Sequence, residues 1–171
     1  MGLTMHDSEA SRNSWFAKIS LWIGTGLGFG FSPMAPGTVG AIWGIPVAWL
    51  VMQIPSTWGQ IATLTVLFLI GIPICTSAAR TLDKKDPGEV VWDEIATVPI
   101  VFLFVDPSLL NRPEILLLGF GLHRLFDISK PPPVRNLEKL PDGTGIMCDD
   151  VAAGIYGCMA MHLLIWLVPW L

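Results

Sequence analysis

Apolar residues fall into runs at roughly 19–31, 39–54, 61–79, 95–105, 114–126 and 151–171, separated by short stretches that collect most of the charge. None alternates apolar and polar residues as a half-buried strand does, and Pro or Gly punctuates each run. The pattern predicts an all-α chain of about four to six helices. Only 61–79 and 151–171 approach the ~20 residues that cross a ~30 Å hydrocarbon layer. Segment 39–54 is marginal, and the two short runs need flanking residues to become helices near 90–106 and 112–128. Pro46 and Pro73 mark expected kinks. Residues 1–18 read as a polar, flexible tail and 19–171 as a single domain. The run after Lys18 lacks a cleavage site and reads as retained.

Charge sharpens this picture. The chain of 171 residues is 52% hydrophobic and 14% charged, where a soluble domain carries about 25% charged residues. That much apolar surface calls for lipid, so the expectation is a helical membrane protein. Most acids and bases lie in two windows, 80–94 and 124–150. Let the chain alternate sides along 39–54, 61–79, 90–106, 112–128 and 151–171. Both windows and the turn at 32–38 then share one side, while the turns at 55–60 and 106–113 keep only Arg112 among the bases. The positive-inside rule makes the charged side cytoplasmic. A net charge of −4 argues against a nucleic-acid partner. Three cysteines without C-x-x-C spacing argue against a disulfide framework or zinc knuckle. Cys75 reads as a small buried side chain.

Candidate chemistry sits in four blocks. In Ser32-Pro33-Met34-Ala35-Pro36-Gly37-Thr38, Gly37 suits a tight turn and Thr38 a helix cap, an end that can receive phosphate; a plain inter-helix turn explains the block equally well. In Asp86-Pro87-Gly88-Glu89-Val90-Val91-Trp92-Asp93-Glu94, Glu89 and Asp93 are spaced for one helical face. Asp93 and Glu94 stand among apolar residues, where ionised groups usually serve function. Arg124-Leu125-Phe126-Asp127 closes a helix before Lys130 and three prolines. Asp149 and Asp150 follow Asp142-Gly143-Thr144-Gly145, and Asp149 also reads as a simple N-cap.

So many carboxylates on one face repel each other unless a cation intervenes. All-oxygen ligands suit Mg²⁺ bridging to a phosphate, and such an ion activates water toward phosphorus. Arg124 and Lys130 can hold phosphate oxygens. The residues point to metal-assisted phosphoryl chemistry at a membrane surface.

Together and in order, the four blocks from about Gly24 to Gly154 resemble the phosphatidylglycerophosphatase A family. The resemblance implies Mg²⁺-dependent hydrolysis of phosphatidylglycerol phosphate to phosphatidylglycerol and inorganic phosphate, at the bacterial cytoplasmic membrane with the site facing the cytoplasm. It implies Asp93, Glu94, Asp149 and Asp150 as metal ligands, with Asp127 beside them. Asp86, Glu89 and Asp127 become catalytic candidates, and Gly37, Thr38, Arg124 and Lys130 phosphate holders. The expected partners are the lipid substrate and the bilayer, with self-association left open. Met34 and Thr97 depart from the family pattern. His6, His123 and His162 add no chemistry, His123 reading as a packed helix residue. Two rival readings stand: a CDP-alcohol phosphotransferase, suggested by Asp142-Gly143 ahead of Asp149, and a non-catalytic cation-binding membrane protein.

Overall fold

The computed structural model describes residues 14–168, so His6 and most of the expected tail lie outside the described residues. Every regular element among the described residues is helical. Helix α1, Trp15–Gly24, starts where the Ser14 hydroxyl accepts the Ala17 N–H at 3.1 Å. After a 3₁₀ turn at Phe29–Phe31 come α2, Pro36–Ala41, and α3, Gly44–Met52. Helix α4 runs Thr57–Thr81 from a Ser56 cap. A loop leads to α5, Trp92–Thr97, which tightens directly into a 3₁₀ turn at Val98–Phe102. Then follow α6, Pro113–Ser129, the short α7, Val134–Leu137, and α8, Asp142–Leu167.

Helix α8 is the hub. It packs against α4 and α6, while α1 lies on α4 and the α5–3₁₀ segment wedges between α3, α4 and α8. One apolar cluster centres on Phe102, Leu110, Ile115 and Met161, and a second joins Cys75, Ala78, Ile146 and Met147 beneath the charged loops. Cys75 is thus the buried small side chain its setting suggests.

The all-helical membrane architecture holds, although its helices divide differently from the apolar runs. Helices α4 and α8 are long and apolar enough to cross a bilayer, and only 28% and 33% of their most apolar windows is buried inside the protein. Their outward faces carry Val66, Leu69, Ile155 and Leu163, and tryptophans such as Trp58 and Trp166 stand exposed. The run 39–54 is broken between α2 and α3 rather than forming one pass. Pro46 lies in the first turn of α3, where a missing N–H costs nothing, so it helps start a helix instead of kinking one. Pro73 is inside α4. The expected helix near 90–106 is six residues of α5 plus a five-residue 3₁₀ turn, too short to span.

Within lipid, helices associate by close packing rather than by escape from water. The α4–α8 crossing shows this at Gly143, where a Cβ would lie 2.2 Å from the Ile72 carbonyl oxygen. The Gly143 N–H donates to Thr76 Oγ1 at 2.9 Å. Gly143→Ala should therefore destabilise the protein by about 1–3 kcal/mol, the usual range for overpacking. A clearly lower thermal midpoint in detergent is the expected readout; an unchanged midpoint would show that the crossing can yield.

Candidate active site

The four motif blocks converge on one cavity of about 510 Å³. Helix α2 contributes Gly37 and Thr38, and the loop before α5 contributes Asp86. Asp93 and Glu94 enter from α5, Arg124 and Asp127 from α6, Lys130 from just beyond it, and Asp149 and Asp150 from α8. Of the residues expected as metal ligands, catalytic acids or phosphate holders, Glu89 alone does not line it. It precedes α5 and pairs with Lys84, whose ammonium lowers the Glu89 carboxyl below its ordinary value. Glu89→Gln should leave turnover within about twofold, since it removes only a surface ion pair. A large loss of phosphate release would return Glu89 to the site.

Local structure explains the placement. Helix α2 begins at Pro36, with Ala35 taking the left-handed conformation at φ 46°. The turn expected at Gly37 is therefore made by Ala35, and Thr38 lies inside the first helical turn instead of capping it. Gly37 is needed for close approach: a Cβ there would sit 2.8 Å from Glu94 Oε1 and 3.4 Å from Arg124 Nη2. Asp149 is likewise no N-cap, because α8 starts at Asp142, two turns earlier. That depth places the paired carboxylates about 10–12 Å along the helix from its polar end. Lys130 ends α6 in the left-handed conformation, which turns the chain back toward α8.

The basic groups are already engaged. Arg124 is largely buried and bridges Glu94 and Asp127, with Nη1 donating to Asp127 Oδ2 at 2.6 Å. Lys130 Nζ reaches Asp149 Oδ2 at 2.9 Å and Glu138 Oε2 at 3.2 Å. Partial desolvation disfavours its charge, yet these carboxylates hold its pKa above the ordinary lysine value. Glu138 was not singled out in the sequence, and nothing in its surroundings there marks it as a partner of Lys130.

The acids outnumber these cations. Asp93, Glu94, Asp149 and Asp150 are all buried. Among the described residues, Asp93 Oδ1, Glu94 Oε2, Asp149 Oδ1 and Asp150 Oδ2 each lack a hydrogen-bond partner. Burial pushes the Glu94 carboxyl up to about 8, against the pull of Arg124. Burial also raises Asp86, partly opposed by Lys130. Isolated buried carboxylates are strongly disfavoured, so the cluster is short of positive charge. Asp127, Asp149 and Asp150 each offer an oxygen within 4.8 Å of the others. This all-oxygen set, with orphaned oxygens from Asp93 and Glu94 in the same cavity, fits a hard divalent cation. Asp127 consequently groups with the candidate ligands as much as with the catalytic acids.

Behind the cavity, the Thr97 hydroxyl donates to the Asp93 carbonyl at 2.7 Å and lies 2.9 Å from His123 Nε2. With that hydroxyl proton committed, His123 donates through Nε2. It acts as a buttress between α6 and α5, in keeping with its reading as a packed residue. Thr97 therefore has a structural use, whereas Met34 is 79% exposed.

No solved structure matches the chain. Among curated proteins, a putative phosphatidylinositol-3-phosphatase of Bacteroides thetaiotaomicron is 37% identical, covering 85% of this chain and 93% of its own length. The phosphatidylglycerophosphatase A of Haemophilus influenzae is 34% identical over 88% of this chain and 94% of its own. That of Escherichia coli is 32% identical over 83% and 81%. The family model for phosphatidylglycerophosphatase A matches residues 22–165, a span that includes every cavity residue named above. The chain belongs to the phosphatidylglycerophosphatase A family.

Proposed function

We propose that this chain is a Mg²⁺-dependent phosphatase that converts phosphatidylglycerol phosphate to phosphatidylglycerol and inorganic phosphate. The observation that carries the reading is the acid-rich cavity with orphaned buried oxygens beside Arg124 and Lys130, on a chain of this family. Asp127, Asp149 and Asp150, with Asp93 and Glu94, would hold the cation. When bound, such an ion supplies Lewis acidity toward a phosphoryl oxygen and a more acidic water. Arg124 and Lys130 offer N–H donors to the remaining phosphate oxygens. Asp86, raised by burial, is suited to accept a proton from the attacking water, because a general base works best when its pKa approaches the working pH.

The same reading places the cavity at the cytoplasmic face of a bacterial inner membrane. Lys84, Lys85 and Lys139 in the loops and Arg135 in α7 belong to the segments on the cavity's side, and the opposite turn retains Arg112.

A second substrate comes from the Bacteroides relative, whose name specifies a phosphate on inositol. Both lipids are phosphate monoesters, so a substrate panel separates them. Purified protein in detergent should release phosphate from phosphatidylglycerol phosphate with Mg²⁺ present and lose that activity with EDTA. Faster release from phosphatidylinositol 3-phosphate would reassign the substrate, and CDP-dependent exchange would favour the transferase. Release undiminished by EDTA would remove the metal. No reaction in any of these assays would favour the non-catalytic reading.

A further inference from the structure

Helix α6 carries the cavity-lining Arg124 and Asp127, but another part of its surface is exposed among the described residues. Leu117, Gly121, Leu125 and Ile128 are all exposed, and at 100° per residue they fall within about 80° of one another. Leu117, Leu125 and Ile128 are 61%, 56% and 70% exposed. The stripe is about 16 Å long by helical rise, close to the depth of one leaflet, which is half of the ~30 Å hydrocarbon layer. Its upper end is continuous with the site. Ile128 also lines the cavity, and Arg124 projects only about 40° round the helix from it.

Gly121 marks the stripe further. Two residues earlier, Gly119 is required by packing, because a Cβ there would lie 2.2 Å from the Phe102 ring. A Cβ at Gly121 would meet nothing within 4 Å. A glycine inside a helix is unfavourable relative to alanine, and no contact explains this one. Its effect is to leave a dent in an apolar ridge between Leu117 and Leu125.

We propose that one acyl chain of the bound phospholipid lies along α6 over Leu117, Gly121 and Leu125, with its headgroup turning past Ile128 into the cavity. The occupant is hydrocarbon because the stripe is apolar throughout and lies on a membrane protein. It belongs to the substrate because the stripe shares Ile128 with the phosphate cavity. A separate apolar groove of about 320 Å³ between α4 and α8, lined by Phe68, Ala96, Val151 and Ile155 among others, has no lining residue in common with that cavity. The proposal rests on the phosphatase reading above.

Gly121→Trp starts from a Cβ that meets nothing within 4 Å and extends over the dent, and an unchanged thermal midpoint should confirm folding. Its KM for long-chain phosphatidylglycerol phosphate should rise about tenfold relative to its KM for a short-chain analogue, the equivalent of about two buried methylenes. Equal response of both substrates would overturn the track. A second measurement does not depend on turnover. Phosphatidylglycerol phosphate with a photoreactive acyl chain, in detergent, should label the α6 peptide, and unlabelled substrate should compete. Competed labelling of α4 or α8 instead would move the chain to the other groove and overturn the proposal. Competed α6 labelling without any phosphate release would sink the phosphatase reading while leaving the acyl track in place.

Discussion

Asp149→Asn is expected to lower phosphate release from phosphatidylglycerol phosphate at least about a thousandfold while leaving the chain folded. A cation at a phosphoryl centre contributes several kcal/mol of charge stabilisation, and each 1.36 kcal/mol is about a factor of ten in rate. Asp149 Oδ2 accepts from Lys130, while its Oδ1 has no hydrogen-bond partner among the described residues. The amide keeps the shape but removes a charge from a cluster that already repels itself, so folding should be spared. The comparison is phosphate release at saturating Mg²⁺, alongside a thermal melt in detergent. Near-normal release from a folded variant would remove Asp149 from the chemistry. Loss of the fold would assign it a structural role instead.

Arg124→Ala should be the most damaging change to stability. The guanidinium lies between Glu94 and Asp127, and both carboxylates are largely shielded from solvent. Its removal leaves two shielded acids without their counter-ion, and breaking such a buried pair costs about 3–5 kcal/mol. The thermal midpoint should fall by about 10 °C, from ~2–4 °C per kcal/mol at this size. Adding Glu94→Gln to Arg124→Ala should recover part of that loss at a pH well above 8, where the Glu94 carboxyl is ionised and its replacement removes one stranded charge. The double-mutant cycle measures that coupling directly. Arg124→Lys keeps a charge but not the planar fork, so the protein should fold while kcat/KM falls. If the double variant is no more stable than Arg124→Ala, Arg124 is not serving as this counter-ion.

Much of the site is legible in the sequence because its chemistry is concentrated in charged residues that an apolar chain otherwise avoids. Asp93, Glu94, Asp149 and Asp150 stood out against Val, Trp, Ile and Met neighbours, and the structure brings them into one cavity. Less legible was how the chain gets there. Glu89 has the spacing of a helical partner for Asp93, yet α5 begins only at Trp92. Four-residue spacing specifies a face only once a helix exists. Gly37 looked like a turn residue, whereas the close approach of Glu94 and Arg124 is a tertiary constraint that local sequence cannot express. The apolar run 39–54 concealed the break between α2 and α3, because hydropathy records lipid compatibility and not helix continuity. Ile128 looked like any other apolar helix residue. Only its placement at the cavity wall, still exposed, connects the lipid-facing surface to the acids.

The most direct test of the carboxylate cluster is to titrate the purified protein in detergent with Mn²⁺, standing in for Mg²⁺, and follow free and bound ion by electron paramagnetic resonance. The wild-type chain should bind Mn²⁺ in competition with Mg²⁺, and Asp149→Asn and Asp150→Asn should each bind it far more weakly. Equal binding by wild type and both variants, or no binding by a wild-type protein that still releases phosphate, would contradict a metal centre at Asp127, Asp149 and Asp150.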